Sequence, residues 1–355
     1  MTRSFKFGLV VPEEFHTHAK QHSFEISGLL QWAKVLGGDI VLITDDLTPY
    51  DILMTNVSST EQEYISVIRQ ENPDAKIVTC FDYGFDVVNQ YFYNMERVKQ
   101  VMRRTDHIFS VNKNQVKWMK LLLPERDIRY IPHPTDIENV KKFRKTKEER
   151  TMGVAVMWHQ YDNYMLQPLE IMLSINRKRK IPVPFCLVGA KSRILIDHGW
   201  HVPAVNVPII SNDHPDSKMR GKPIDPEFEK YVAFVQKGLG FDSIMPYMGV
   251  EPWYDHLSRF AVALDLYTVN SIGRFGIDCA GVGVPCVASD LQDSANLLWP
   301  FTRVDPFEPE KPIAFVEKLL NNQDFYSHTL KVADKNLPYF GFEKSRERMM
   351  ALLED

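Results

Sequence analysis

Long apolar segments and a secretory leader are both absent from the 355-residue sequence. No run reaches the roughly 18 apolar residues that a membrane-spanning helix needs. The first residues, MTRSFKFGLVVPEE, contain neither the apolar core nor the small-residue cleavage site of a signal peptide. We therefore expect a soluble, cytoplasmic protein without a transmembrane segment.

Cysteine is scarce, and its positions exclude the common cysteine-based sites. The four cysteines form no C-x-x-C pair and lie mostly inside apolar, strand-like runs: Cys80, Cys186, Cys279 and Cys286. Such isolated thiols are typical of buried residues in a reducing compartment. The sequence therefore predicts neither disulfides nor a zinc site.

A metal site of another kind is not predicted either. The spacing of His16, His18 and His22 could gather imidazoles, but no cysteine or carboxylate set accompanies them. We expect no metal and no required cofactor.

What the sequence does contain is enough apolar surface for two ordinary cores. Hydrophobic residues make up 44% of the chain and aromatic residues 12%, and domains commonly span about 100 to 200 residues. Short apolar runs alternate with stretches of helical period, which is typical of doubly wound parallel sheets. The predicted fold class is α/β. The expected strands cover residues 5–11, 39–44, 51–56, 76–81, 107–111, 128–131, 152–157, 184–188, 243–245, 261–267 and 284–288.

The boundary between the two domains is expected at a charged stretch. Lys141–Arg150, KKFRKTKEER, has no apolar period and is interpreted as a linker. The first domain then covers residues 1–145 and the second covers residues 146–338. Among the helices, one is expected over residues 24–36 because Gly37 and Gly38 would stop it.

The segment Tyr267–Ser289 is the most informative part of the chain. Ser271 and Gly273 interrupt an apolar run at a point where flexible backbone lets a ligand come close. A helix expected over Gly276–Gly281 would direct its N-terminal amides and its dipole at an anion such as a diphosphate. Asp278 is suited to sugar hydroxyls, as ribose-binding acids are in nucleotide folds. A strand, loop and helix in any α/β protein would also fit this spacing.

The run Asp278–Ser289, DCAGVGVPCVAS, resembles the E-A-M-A-x-G-x-P-V-V-A-S segment of GT-B glycosyltransferases, with Asp278 in place of the glutamate. Further segments resemble the same family in the same order: Val10–Pro12, Asp106–Ser110, Ile128–Pro132 with Asp136, Phe185–Gly189 and Met248–Leu257. The likeness spans nearly the whole chain. It implies two Rossmann-like doubly wound domains facing a cleft, with a C-terminal helix over residues 339–355 that returns to the first domain.

The resemblance implies that the second domain holds a nucleotide sugar, and it also shows departures. Candidate contacts are Gly189, Gly273, Phe275, Gly276 and Asp278. Retaining members carry two glutamates eight positions apart, but Asn270 stands eight positions before Asp278. The arginine and lysine that the family places after the first strand of this domain are absent too. We expect Arg274, Lys191 or Arg193 to meet the diphosphate instead, unless they are solvated surface charges.

Positive charge is concentrated in one region although the net charge is -4. Residues 97–150 contain fifteen Lys and Arg against seven Asp and Glu. Lys113, Lys117 and Lys120 would form one positive face on a helix, with Trp118 among them. A solvated helix followed by a charged linker would look the same. The alternative is a patch for an anionic acceptor, either nucleic acid or a phosphorylated carrier.

The N-terminal half also resembles phage DNA α-glucosyltransferases, which glycosylate hydroxymethylated cytosine in duplex DNA. The resemblance rests on Asp51–Ser58, Lys76–Asp82 and Arg97–Ser110. It places Asp82 at the acid of their "QHD" segment, although Phe81 replaces the histidine. Asp82 would then orient or deprotonate an acceptor hydroxyl, or orient the donor sugar. A simpler interpretation is that Asp82 caps a turn.

The sequence thus predicts a glycosyltransferase that moves a sugar from a nucleotide-diphosphate donor to a hydroxyl acceptor, with duplex DNA as one candidate. Catalytic roles are expected for Asp82 and Arg274, and retention of stereochemistry is implied by resemblance alone. Because the loop after the first strand faces the acceptor in this fold, His16 and His18 are candidate acceptor contacts, along with Lys113 and Lys117. Two alternatives stay open: a non-catalytic module that binds nucleotide sugar or nucleic acid, and a sugar-phosphate epimerase of the same fold.

Overall fold

The computed structural model describes residues 5–11, 28–56, 61–82, 95–157, 166–190, 243–246 and 250–354. Contacts divide the chain into two units, each with its own parallel sheet. Unit 1 comprises residues 1–137, 269–272 and 338–355, and unit 2 comprises residues 138–268 and 273–337. The predicted α/β class with two Rossmann-like domains is confirmed.

In the part of unit 1 that the structure describes, six parallel strands lie in the order β2-β1-β3-β4-β5-β6. The strands are β1 (Phe7–Val10), β2 (Asp39–Val41), β3 (Ile52–Asn56), β4 (Lys76–Phe81), β5 (His107–Ser110) and β6 (Ile128–Tyr130). The helices that connect and cover them are α1 (Gln31–Leu36), α2 (Glu61–Glu71), α3 (Met95–Arg104) and α4 (Lys113–Leu122). Parallel strands need such crossovers because each chain must return to the same end of the sheet.

The core of unit 1 lies between its strands and these helices. Leu53, Ile77 and Ile108, from three adjacent strands, are fully buried in one apolar cluster. Such strands are apolar in nearly every position because helices cover both faces of a parallel sheet. The last helix, α12 (Phe342–Glu354), also belongs to this unit, and the Lys76 ammonium donates to the Leu353 carbonyl at 2.9 Å.

The described residues of unit 2 form six parallel strands in the order β12-β11-β10-β7-β8-β9. The strands are β7 (Met152–Met157), β8 (Phe185–Ala190), β9 (Ser243–Pro246), β10 (Phe260–Asp265), β11 (Cys286–Ser289) and β12 (Arg303–Val304). The helices are α5 (Ile137–Lys141), α6 (Leu166–Arg177), α7 (Val250–Leu257), α8 (Arg274–Val282), α9 (Asp293–Leu298), α10 (Glu310–Asn321) and α11 (Gln323–Asn336). A 3₁₀ helix over Leu337–Phe340 leads out of the unit.

This strand order positions the candidate site. The chain builds β7, β8 and β9 outward in one direction, then starts again at β10 on the other side of β7. The order reverses between β7 and β10, and doubly wound sheets bind ligands at the carboxyl ends of the strands beside such a switch point. Helix α8 begins in the connection that follows β10, so its N-terminus lies at that edge.

Helix α8 is buried along its whole length from Phe275 to Val282. Small residues allow this burial, since a Cβ on Gly281 would lie 2.6 Å from the side chain of Val140. The helix ends at Gly283, whose left-handed φ of 75° lets its N–H return to the Ala280 carbonyl. An entirely buried helix has no room to shift, so the groups that it carries are fixed in the domain.

Several elements differ in length from the sequence prediction. Strand β2 ends at Val41 because Asp45 turns the chain, accepting the Leu42 N–H at 2.8 Å. Helix α1 covers Gln31–Leu36, whereas residues 24–27 of the predicted helix lie outside the described residues. Helix α8 starts at Arg274 rather than at Gly276 because Gly273 supplies the left-handed N-cap.

The charged stretch that we expected to be a linker packs against unit 2 instead. Arg144 donates to the carbonyls of Gly281 and Ala280 at 2.8 and 2.9 Å. Arg150 donates to the Gly283 carbonyl at 2.7 Å and to the Ser258 carbonyl at 3.0 Å. Because the Gly281, Ala280 and Gly283 carbonyls lie at the C-terminal end of α8, the arginines cap that helix and complement its dipole. Absence of an apolar period in a charged stretch therefore does not exclude hydrogen bonding to backbone.

No helix in the described part of the chain is long and apolar enough to cross a membrane.

Candidate functional site

Gly273 sets the geometry at the start of α8. Its φ of 74° is left-handed, and a side chain there would place Cβ 2.4 Å from the Ser294 hydroxyl oxygen. Glycine fits both conditions without strain, and other residues do not. The Ser294 hydroxyl donates to the Gly273 carbonyl at 2.8 Å. This bond holds the first turn of α9 against the start of α8.

Phe275 and Gly276 lie in the first turn of α8, and both contact tryptophan side chains of the same unit. The Phe275 ring lies edge-on to Trp253, with 6.2 Å between ring centroids. Trp299 donates its indole N–H to the Gly276 carbonyl at 3.1 Å, and a Cβ on Gly276 would crowd that indole nitrogen. What these two residues can offer a ligand is backbone N–H, because first-turn amides have no acceptor within the helix.

Arg274 and Asp278 form a buried ion pair one helical turn apart, where side chains share a face. Arg274 Nε donates to Asp278 Oδ1 at 3.0 Å, and the Trp253 indole N–H donates to Oδ2 at 3.1 Å. The Tyr254 hydroxyl lies 3.4 Å from the Arg274 guanidinium. The Asp278 side chain is 3% exposed and that of Arg274 is 17% exposed. Of the two charges, the guanidinium is therefore the more accessible to a ligand.

The surroundings of this ion pair shift the pKa values of both Arg274 and Asp278. Burial raises the pKa of the Asp278 carboxyl, and the charge of Arg274 acts against that rise together with hydrogen bonds from Trp253 and Tyr254. Burial is the largest influence on the pKa of Arg274 and would lower it, but the charges of Asp278 and Tyr254 and the hydrogen bonds to both together outweigh it, so that pKa is raised. The guanidinium is thus a fixed positive charge near the positive end of the α8 dipole, an arrangement that favours an anion.

Gln292, which sequence reasoning missed, lies beside this turn. It stands between β11 and α9 and is fully buried. Neither its Oε1 nor its Nε2 has a hydrogen-bond partner among the described residues. Oε1 would lie 2.9 Å from a Cβ on Gly273. Because buried amides normally have partners, this one is available to a ligand group or to bound water. A single glutamine in a polar loop carries no sequence signal that could have identified it.

The other predicted nucleotide contacts are only partly described. Gly189 lies near the carboxyl end of β8, beside the point where its pairing with β9 shifts register. That is the same edge of the sheet as the start of α8, since all these strands are parallel. Lys191 and Arg193 lie outside the described residues.

Asn270 occupies the position at which retaining members of the resembled family carry a glutamate. Its segment, residues 269–272, groups with unit 1. There the Asn114 amide donates to Asn270 Oδ1 at 2.9 Å. An amide cannot supply the negative charge of a glutamate at this point.

A second polar pair lies at the carboxyl edge of the sheet in unit 1. Asp82 follows β4 and His133 follows β6, and His133 Nε2 lies 2.8 Å from Asp82 Oδ1. Strand β5 separates these two strands, so loops from non-adjacent strands meet above it. The His133 side chain is 5% exposed and the Asp82 side chain is 27% exposed. Asp82 was a predicted site residue, whereas His133 was missed.

Helix α4 presents the predicted positive face to solvent. Lys113 and Lys117 are exposed, as are Trp118 at 62% and Leu121 at 73%. The Lys113 ammonium lies 5.1 Å from the centre of the Tyr130 ring. The helix therefore combines positive charge with exposed apolar side chains.

The predicted acceptor contacts His16 and His18 lie outside the described residues. In the part of the chain that the structure describes, no group of three or more His, Cys, Asp or Glu side chains converges to hold a metal ion.

The sequence matches no family model and no curated protein. The structure is similar to that of an α-glucosyltransferase in complex with UDP and a 13-mer DNA containing an HMU base, with a TM-score of 0.62 at 12% identity over 99% of this chain and 100% of that one. It is also similar to HepE of Anabaena in complex with UDP and glucose, with a TM-score of 0.62 at 9% identity over 99% of both chains. OtsA in its apo form gives a TM-score of 0.61 at 8% identity over 86% of this chain and 73% of that one.

These proteins are all GT-B glycosyltransferases, and the resemblance that the sequence motifs indicated is therefore matched by structure. At such low identities the likeness concerns the arrangement of the backbone alone, here over 86 to 99% of this chain. The chain has the GT-B fold.

Proposed function

We propose that this protein is a glycosyltransferase that moves a hexosyl or pentosyl group from a nucleotide-diphosphate donor to a hydroxyl acceptor. The observation that carries the proposal is the start of α8. There a left-handed glycine, a fixed guanidinium and an unpartnered buried amide lie together at the switch point of the sheet in unit 2. Two similar structures hold UDP, and another crystal of HepE holds UDP-glucose. A UDP-sugar is therefore the first donor to test.

The roles within the donor site follow from charge and exposure. We assign Arg274 to the diphosphate, because it is the accessible charge of the pair and lies where a helix dipole favours anions. Asp278 holds that guanidinium at 3.0 Å and, with 3% of its side chain exposed, acts on the donor through Arg274. Gly189, Lys191 and Arg193 are the remaining candidates for contacts with the phosphates.

The chemical step transfers a glycosyl group with the atoms in balance. The acceptor oxygen bonds to the anomeric carbon, and the bond to the diphosphate breaks with its electron pair leaving on the phosphate oxygen. The hydroxyl proton passes to Asp82, a partly exposed carboxylate at the carboxyl edge of unit 1. Charge develops on the leaving diphosphate, and preorganised positive groups such as Arg274 stabilise it there. We propose retention of stereochemistry, on family resemblance alone, so that the acceptor oxygen bonds to the anomeric carbon on the face from which the diphosphate leaves.

For the acceptor we propose duplex DNA carrying a hydroxymethylated base. Helix α4 supports this with exposed lysines beside Trp118, a combination that suits phosphates and unstacked bases. The surplus of basic residues over 97–150 is consistent with it. A similar structure contains DNA with an HMU base. His16 and His18 remain candidate acceptor contacts.

Donor binding is the direct test of the proposal. A ligand at 100 times its dissociation constant adds about 2.7 kcal/mol of stability, or roughly 5 to 11 °C for a domain of this size. We expect such a shift with at least one UDP-, ADP- or GDP-sugar, followed by release of the nucleotide on incubation and by labelling of hydroxymethylated DNA. Absence of any shift across the donor panel would refute the donor site. Labelling of other acceptors but not of DNA would refute the DNA assignment only.

A non-catalytic nucleotide-sugar binder is the second candidate, and one observation favours it. Asn270 cannot replace the charge of the family's first glutamate, and it is already bonded to Asn114. A binder would show the same thermal shift but no release of nucleotide in any condition. An epimerase of the same fold would release nucleotide without forming a glycoside.

A further inference from the structure

The contact between His133 and Asp82 joins two loops that follow non-adjacent strands. We propose that His133 is a positioning residue that holds the Asp82 carboxylate in the orientation needed to receive the acceptor hydroxyl. The proposal rests on the proposed function. It adds a supporting hydrogen bond to Asp82 that neither the donor site nor the DNA surface requires.

Exposure decides which member of the pair meets a substrate. The His133 side chain is 5% exposed, whereas that of Asp82 is 27% exposed. A substrate hydroxyl can therefore reach the carboxylate but not the imidazole. This order is the reverse of the Ser-His-Asp triad, where the aspartate is buried and the histidine meets the reacting groups. Here the histidine takes the supporting place.

The burial of the other ring nitrogen fixes the tautomer. His133 Nδ1 is buried and has no hydrogen-bond partner among the described residues. If the proton is on Nε2, the only buried group without a partner is the lone pair of Nδ1. If the proton is on Nδ1, a buried N–H donor has no acceptor, which costs more free energy. Nε2–H therefore donates to Asp82 Oδ1 at 2.8 Å. With Oδ1 engaged in this way, the acceptor hydroxyl is directed to Oδ2.

Neighbouring groups restrict the positions of both His133 and the backbone that carries Asp82. A Cβ on Gly28 would lie 2.4 Å from His133 Cβ, so the backbone at Gly28 presses directly on the histidine. On the other side, the Ser110 hydroxyl donates to the carbonyl of Phe81, the residue before Asp82, at 3.1 Å. Ser110 is itself fully buried at the end of β5. The imidazole and the backbone that carries the carboxylate are thus both held by rigid neighbours.

Such support matters because transfer depends on the position of the reacting groups. Displacing a catalytic group by about 1 Å can reduce the rate by roughly a factor of 100. A carboxylate on a loop, without its N–H donor, would sample several rotamers and spend little time in the productive one. We therefore expect loss of the donor to lower kcat about 10- to 100-fold and to leave donor affinity within about twofold, since the donor contacts lie on unit 2.

Two substitutions at one position separate hydrogen bonding from packing. His133→Phe keeps a ring in the pocket but removes the N–H, whereas His133→Gln keeps an amide N–H near the place of Nε2–H. We expect His133→Phe to lower kcat by the full factor of about 10 to 100. We expect His133→Gln to retain a kcat within about fivefold of the wild type. Equal losses in both variants, or unchanged kcat in His133→Phe, would overturn the proposal. Thermal unfolding of each variant confirms that it is folded at the assay temperature.

A measurement without substrate separates this proposal from the proposed function. Long-range ¹H–¹⁵N spectra of histidine-labelled wild-type protein should show one ring with Nε2 protonated and Nδ1 bare, and Asp82→Asn should shift that Nε2–H signal. Gly28→Ala should shift it as well, because the added methyl displaces the ring. If the wild type transfers sugar but this signal is insensitive to Asp82→Asn, the positioning role fails alone. If the spectra show the pair but no nucleotide sugar binds, the proposed function fails, and the catalytic use of the pair fails with it.

Discussion

Replacing Asp278 with asparagine should weaken the fold of unit 2 by about 3 kcal/mol. The substitution removes one charge of a buried pair and leaves Arg274 without its counter-ion. Breaking buried pairs in this way typically costs about 3 to 5 kcal/mol. The lower end applies here because the Arg274 side chain keeps 17% of its surface exposed and can recover part of its solvation. A domain that is stable by about 5 to 15 kcal/mol would remain folded.

The assay is urea unfolding followed by tryptophan fluorescence, with thermal unfolding as a second measurement. A loss of about 3 kcal/mol corresponds to roughly 6 to 12 °C in Tm for a domain of 150 to 250 residues. Arg274→Met alone should also destabilise, because it leaves a nearly buried carboxylate. The double variant Arg274→Met with Asp278→Asn should recover about 2 kcal/mol relative to the sum of the single variants.

An exposed ion pair of nearly the same sequence spacing supplies the control. Lys344 and Glu347 pair at 2.7 Å on α12, with about half of each side chain exposed. Glu347→Gln should change stability by less than about 0.5 kcal/mol, since exposed pairs contribute little. If Asp278→Asn were as mild as this control, or if the Arg274 and Asp278 effects simply added, the two residues would not act as a buried pair.

Three further predictions concern other parts of the molecule. Gly273→Ala should lower donor affinity by at least about tenfold and destabilise unit 2, because it combines a left-handed φ with a steric clash; calorimetry and unfolding measure the two effects. Changing Lys113 and Lys117 together to alanine should flatten the slope of log DNA affinity against log salt by about 2 units, as measured by filter binding between roughly 50 and 200 mM salt; an unchanged slope would remove α4 from the DNA surface. Burial and the hydrogen bond to Asp39 raise the pKa of Tyr50 to about 12, above its ordinary value of 10.0, so the stability that its protonated form contributes is complete below pH 10 and is lost as the pH rises toward 12. Tyr50→Phe should accordingly show a smaller loss of stability over that pH range in urea unfolding.

The fold was predictable because its signals are local. Alternating apolar runs and helical stretches indicated parallel sheets, and the glycines around residues 273–283 indicated the turn that starts α8 and the turn that ends it. Element ends were harder, since β2 stops where Asp45 turns the chain and not where its apolar residues end. Lengths therefore depend on side-chain hydrogen bonds that a pattern of hydrophobicity does not record.

The candidate site was only partly predictable because its partners are distant in sequence. Arg274 and Asp278 are four residues apart, so helical spacing alone brings them together. His133 reaches Asp82 across 51 residues and one intervening strand, and the order of strands in the sheet is what joins them. Gln292 is distinguished by burial without partners, which is a property of the folded chain and not of the sequence around it.

The arginines at the end of α8 bear on how the chain can be divided for experiment. Arg144 and Arg150 precede the first strand of unit 2, yet their guanidinium groups complete the C-terminus of a helix that the chain forms more than a hundred residues later. A fragment cloned from residue 151 would contain every strand of that sheet and still lack the residues that terminate its central buried helix. An expression boundary for the isolated C-terminal domain therefore belongs before Glu138, and truncations within KKFRKTKEER should give poorly soluble protein for reasons unrelated to catalysis.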